Sequence, residues 1–98
     1  MRAQVPVFEI QLTQPAIRDL RPYSEAVHSR LVEGMLNLRK DPFPSPPLKK
    51  KLKGFGFPVY RLRIAEHRIL YRIDEKTVTI LRIVERKDLE RAIRRLKR

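Results

Sequence analysis

Between Val59 and Val84 the chain repeats one pattern three times, with apolar residues at every second place and short polar gaps between the runs. Val59 to Ile64, Arg68 to Ile73 and Val78 to Val84 each carry strand periodicity. Ala65-Glu66 and Asp74-Glu75-Lys76 supply the turns, so the segment fits a three-stranded antiparallel meander. In the first strand Tyr60, Leu62 and Ile64 point one way and Arg61 and Arg63 the other. In the second, Ile69, Tyr71 and Ile73 oppose Arg68, Leu70 and Arg72. One face of the meander is therefore apolar, and the other gathers arginines.

The rest of the chain supplies what the apolar face needs. Val7 to Leu12 alternates as a further strand. Thr13 is placed to cap a helix with Pro15 in its first turn and Ala16, Ile17 and Leu20 on its apolar side, before Pro22 interrupts it. Tyr23, Val27, Leu31, Met35 and Leu38 form the stripe of a second helix from about Ser24 to Arg39, so the two helices read as a hairpin packed on a sheet. Asp41 to Pro47 holds four prolines and is a stiff connection. Leu89, Ile93 and Leu96 mark a terminal helix coated by Arg91, Arg94, Arg95, Lys97 and Arg98. The expected fold is α+β in the order β-α-α-β-β-β-α: a helical hairpin on a mainly antiparallel four-stranded sheet with a C-terminal helix. A chain of 98 residues suffices for one two-layered core, so residues 1–98 are expected to form a single domain.

Charge is distributed unevenly along this framework. Residues 1–44 carry six basic and five acidic side chains, whereas residues 45–98 carry 17 basic and six acidic ones. Nearly all of the +12 net charge thus falls on the meander, the lysine-rich segment before it and the last helix. Such a body suits a polyanionic partner, nucleic acid or an acidic protein segment. Absence of cysteine excludes disulfides and Cys-ligated metal centres, and two histidines leave little for any other metal site. No apolar run reaches the ~20 residues of a membrane span, and no signal-peptide core stands at the N-terminus, so a soluble cytoplasmic protein is expected. One Asn and three Gln beside abundant Arg and Ile suggest a thermophilic source.

Clustered guanidinium groups on a rigid sheet match phosphate oxygens in charge and geometry. Lys51-Leu52-Lys53-Gly54, Tyr60-Arg61-Leu62-Arg63-Ile64, His67-Arg68-Ile69-Leu70-Tyr71-Arg72-Ile73 and Glu85-Arg86-Lys87-Asp88 together resemble the RelE branch of the RelE/ParE toxin family. The likeness runs from the first strand to the last helix. It implies a small toxin of a type II toxin–antitoxin system, neutralised by a cognate acidic antitoxin. RelE members cut mRNA in the ribosomal A site without a metal or other cofactor and so inhibit translation. The cleavage is a transesterification, in which a ribose 2′-oxygen attacks the adjacent phosphorus and the 5′-oxygen leaves. ParE members instead poison DNA gyrase on the same fold.

By matching position the resemblance assigns the catalytic cations to Arg61, Arg63, Arg68 and Arg86, with Lys87 competing for the last place. Lys49, Lys51, Lys53, Arg72 and Lys87 then become contacts to mRNA or ribosomal RNA. Two departures bear on proton transfer. Arginines stand where many active members place lysine, and arginine is a poor general base. The family's tyrosine after the last arginine is replaced by Glu90 or Ile93, and a Glu that some relatives carry before the "LK" is Pro46. His67, Glu85 and Glu90 are the remaining acid–base candidates; strict alternation turns His67 away from the arginines. A gyrase inhibitor without nuclease activity, or a weakened member acting mainly as antitoxin partner and co-repressor, are the alternatives. The apolar stripe of the last helix calls for burial either on the sheet or beneath an antitoxin helix.

Overall fold

The computed structural model describes residues 7–97; Arg2 and Arg98, counted in the charge above, lie outside them. The chain runs β1 (Glu9–Leu12), α1 (Gln14–Leu20), α2 (Glu25–Leu38), β2 (Lys49–Leu52), β3 (Val59–Ile64), β4 (His67–Asp74) and β5 (Thr77–Glu85). A 3-10 turn (Arg86–Asp88) leads into α3 (Leu89–Leu96). The sheet order is β1-β5-β4-β3-β2, with β1 parallel to β5 and every other pairing antiparallel.

The α+β architecture and the order of the seven elements marked by the sequence agree with its periodicity, while the observed order holds one strand more, β-α-α-β-β-β-β-α. The sheet differs in having five strands, because Lys49–Leu52 pairs with β3 instead of forming a loop. Three successive lysines are poor strand formers by composition, yet an edge strand tolerates them, since like charges there discourage pairing with another chain. The first strand is also shorter than Val7 to Leu12. Phe8 is buried and its N–H donates to the Arg39 carbonyl at 2.8 Å, which draws it out of the ladder toward the end of α2.

Local chemistry explains the helical hairpin. The Thr13 hydroxyl accepts from the Ala16 N–H at 3.2 Å, and the Ser24 hydroxyl accepts from Val27 N–H at 3.4 Å. His28 Nε2 bonds the Leu20 carbonyl at 2.8 Å and so ties α2 back across the break to α1. Gly34 sits mid-helix at a cost of roughly 1 kcal/mol relative to alanine. Its position is explained by β3, since a Cβ there would meet the Ile64 side chain.

The helices cover the apolar face. Leu31, Met35 and Leu38 of α2 and Ala16 of α1 join Leu62, Ile69, Tyr71, Val78, Ile80 and Ile83 in the main core. Tyr71 is fully buried, stacks on Tyr60 with ring centroids 5.5 Å apart, and donates its hydroxyl to the Pro42 carbonyl at 2.7 Å. Burial drives its pKa well above the ordinary tyrosine value. That bond fastens the proline-rich connection onto the sheet.

The arginine-bearing face is not open throughout. There α3 lays Leu89, Ala92, Ile93 and Leu96 over Leu70, Leu81, Val84 and Leu52, forming a second, smaller core. A bulge in β5 opposite Leu70/Tyr71 shifts the register there. Beside it Asp19 accepts from Arg82 at 2.8 and 3.1 Å and from the Ile83 N–H at 2.9 Å, so α1 covers part of the strand edge that β1 leaves free. Replacing Tyr71 by Phe should cost about 1–2 kcal/mol by leaving the Pro42 carbonyl without its donor; urea unfolding measures it, and an unchanged midpoint would show that the bond does not anchor the loop.

Candidate functional site

The uncovered part of the second face is a corner formed by the end of β3, the start of β4 and the turn after β5. The hairpin turn Ala65-Glu66 joins the first two, and Ala65 adopts φ 50°, a left-handed conformation that suits glycine better. The turn directs carbonyls toward Arg68. NH1 of Arg68 donates to the Ala65 and His67 carbonyls, both at 2.9 Å. The same turn holds the 3-10 segment, as the Arg86 N–H donates to the Glu66 carbonyl at 2.8 Å.

This geometry brings together the four arginines that the sequence singled out. Arg63 and Arg68 are direct cross-strand partners, and Arg61 pairs with Leu70 one step along. Arg68 is only 5% exposed. Its pKa is lowered first by burial and then by the charges of Arg61, Arg63 and Arg86, with Glu66 opposing. Lys87, the competitor for the last position, is exposed on the same turn and is not among the charges that act on Arg68. None of the four arginines forms an ion pair among the described residues.

Arg61 carries a second mark of an incomplete site. Its NH2 donates to the Pro47 carbonyl at 3.0 Å, which pins the side chain against the proline-rich segment. Its Nε is buried and has no hydrogen-bond partner. An orphaned guanidinium N–H costs free energy, and like charges facing each other across strands add to it. A phosphate group placed against the exposed Arg63 and Arg86 would offset the like-charge repulsion.

The lysines divide by strand parity. Lys50 is paired with Arg61 and shares its face with Leu52, which packs under α3. It is the cation on the arginine face that the sequence reading passed over, and its two-residue spacing from Leu52 is the signal that could have found it. Lys49 and Lys51 are on the opposite face, opposite Leu62 and Tyr60. Lys49 bonds the Asp41 carbonyl at 2.6 Å and lies 3.6 Å from its carboxylate. Lys53 follows the strand and is exposed. Arg72 stands apart from the quartet, engaged by both carboxylate oxygens of Asp74 at 2.9 and 3.0 Å.

The acid–base candidates are placed elsewhere. His67 faces the helices, its ring edge-on to Tyr23 with centroids 4.9 Å apart, as alternation required. Glu85 pairs with His67 across the strands, and Glu90 is exposed in the first turn of α3. The Tyr23 phenol is pushed up by burial and then by Glu85, Asp19 and Asp88. Glu85, Asp19 and Asp88 therefore gather around Tyr23, whereas Glu66 is the one acid among the described residues that acts on Arg68.

Comparison with known proteins gives this geometry a setting. A family model described as the ParE toxin of the type II toxin–antitoxin system parDE matches residues 10–96. No curated protein matches the sequence. Among solved structures, a RelBE toxin–antitoxin complex from Mycobacterium tuberculosis is 29% identical with a TM-score of 0.70, covering 82% of this chain and 99% of that one. The archaeal RelE–RelB complex from Pyrococcus horikoshii is 24% identical at the same TM-score, covering 82% and 96%. A mutant of the E. coli toxin RelE in the free state is 19% identical with a TM-score of 0.69, covering 91% and 97%; these last two share the fold.

If the arginine corner holds a phosphate, inorganic phosphate should raise the unfolding midpoint more than chloride at matched ionic strength. At a concentration tenfold above its Kd the gain is about 1.4 kcal/mol. Arg61→Met should abolish the difference, and equal midpoints in the two anions would show that the corner has no preference for phosphate.

Proposed function

This chain belongs to the ParE toxin family of type II toxin–antitoxin systems, within the RelE/ParE superfamily, and from its arginine corner we propose that it is a ribosome-dependent mRNA endoribonuclease. The observation that carries the reading is the buried Arg68 with Arg61, Arg63 and Arg86 crowding it and the Arg61 Nε left unpartnered. ParE-type action on a topoisomerase needs a binding surface, whereas an under-satisfied guanidinium cluster is suited to a concentrated anionic centre.

The chemistry follows from where charge develops. As the 2′-oxygen attacks phosphorus, the two non-bridging oxygens gain negative charge and the 5′-oxygen begins to leave. Cations already fixed in place stabilise that state without reorganising, an effect typically worth ~3–4 kcal/mol for a single well-placed donor. The Ala65 and His67 carbonyls hold Arg68 through NH1, while Pro47 holds Arg61 from the other side. Arg63 and Arg86 complete the grip, and Lys50 extends it along the strand. Proton transfer on this reading falls to groups outside the cluster; His67 and Glu85 turn from the corner, which leaves Glu90 or groups supplied by the ribosome. Lys53, Lys87 and Arg72 serve the flanking RNA, Lys51 reaches it from the cleft of the β2–β3 loop, and Lys49 contributes charge from the opposite face.

Two of the similar structures are complexes, one of RelE with RelB and one a toxin–antitoxin complex, RelBE2. A cognate antitoxin with an acidic segment would match the +12 charge of this chain and mask the same corner. Among the described residues no helix is long and apolar enough to cross a membrane. A second reading, inhibition of DNA gyrase, is favoured by one finding: the matching family model is that of ParE.

Primer extension on mRNA under translation decides between them. Wild-type protein should produce cuts in the ribosomal A site, and Arg68→Ala should slow them by roughly 10²–10³-fold. Absence of cleavage by the wild type, together with loss of gyrase supercoiling activity in its presence, would replace the nuclease reading with the ParE one.

A further inference from the structure

Phe55 and Phe57 pack into neither hydrophobic core among the described residues. They stand in the loop between β2 and β3, half-buried, with ring centroids 6.0 Å apart and planes inclined at 53°. Each ring carries a cation: the Arg72 guanidinium, itself held by Asp74, lies 4.7 Å from the Phe57 centroid, and the Lys97 ammonium, which has no ion pair among the described residues, 5.5 Å from that of Phe55. Gly54, at φ 88°, makes the turn, and a Cβ there would run into the end of Lys97. A Cβ at Gly56 would meet nothing. The loop walls a cleft of about 540 Å³ with Lys51, Lys53 and both rings on its sides. No acidic residue occurs between Asp41 and Glu66.

We propose that this loop is a stacking platform for an unpaired base of single-stranded RNA, with Lys51, Lys53 and Lys97 against the adjoining phosphates. Flat π faces bordered by cations, in a segment without carboxylates, are the combination that holds single strands without reading their sequence. An apolar peptide would strip water from the same cations without neutralising them. The platform is at the other end of β4 from Arg68, and α3 lies over the apolar stretch between them. It would therefore take a base flanking the scissile step, not the base at it. The inference rests on the RNA-binding part of the function proposed above and adds a second contact to it.

The test is fluorescence anisotropy with a short labelled single-stranded oligoribonucleotide and its abasic counterpart. The double variant Phe55→Leu/Phe57→Leu keeps apolar bulk and removes both π faces. It should bind the intact strand about tenfold more weakly than wild type and the abasic strand equally well. Circular dichroism establishes that it is folded, and Phe55→Tyr/Phe57→Tyr should restore binding. The platform is overturned if the leucine variant binds intact RNA as tightly as wild type, or loses the same factor for both strands. It is equally overturned if RNA binding is unchanged and only a co-expressed antitoxin is lost. Wild type that binds neither strand overturns the platform and the RNA reading together. Wild type that shows the stacking factor but fails to cut mRNA on ribosomes upholds the platform and removes the nuclease; cleavage without a stacking factor does the reverse.

Discussion

The rest of the molecule depends on β4 being buried from both sides at once. Ile69 and Tyr71 enter the helix-side core, Leu70 enters the core beneath α3, and Arg68 completes an unbroken buried run. A strand buried on both faces holds its register firmly, because a slip of one residue would exchange every side chain between the two cores. Arg68 is thereby carried to a fixed place of low solvation where no local preference would put a guanidinium group. Its position is set by its neighbours in the strand.

That placement gives the electrostatics their meaning. Exposed arginines on a solvated sheet would repel weakly, screened by water and salt. Here one is buried, another faces it across the ladder, and a third has a buried N–H without a partner. The folded state tolerates this because the two hydrophobic cores supply stability elsewhere. A strained turn at Ala65 contributes too, with its carbonyl accepting from Arg68. A left-handed non-glycine residue, one unpartnered buried N–H and crowded like charges in a single corner are a pattern associated with functional sites.

Much of the fold is legible in the residues. The meander strands, both helix caps and the break at Pro22 follow from alternation, hydroxyl placement and proline chemistry, all short-range effects. The strand at Lys49–Leu52 is not legible by composition, since its lysines are tolerated only because the strand lies at an edge. The covering of the second face is hinted at by Leu70 among the arginines, whereas Leu81 and Val84 reach the same face only through the bulge in β5. Nothing local says whether that strip is covered by the chain's own last helix. Among the cations, parity separates Lys50 from Lys49 and Lys51 once the strand is known.

The sequence by itself determined which residues are apolar and at what period, and hence the order of every element except β2, and the segregation of charge into the second half. Those properties reside in neighbouring residues and in the geometry of helix and strand. Only the tertiary structure decided that Arg86 joins Arg61, Arg63 and Arg68 in one corner, that Arg72 stands apart with Asp74, and that Phe55 and Phe57 stand outside both cores. The physical reason is that charge interaction and burial depend on distance through space. That distance is set by strand register and by where α3 comes to rest, which no local pattern encodes.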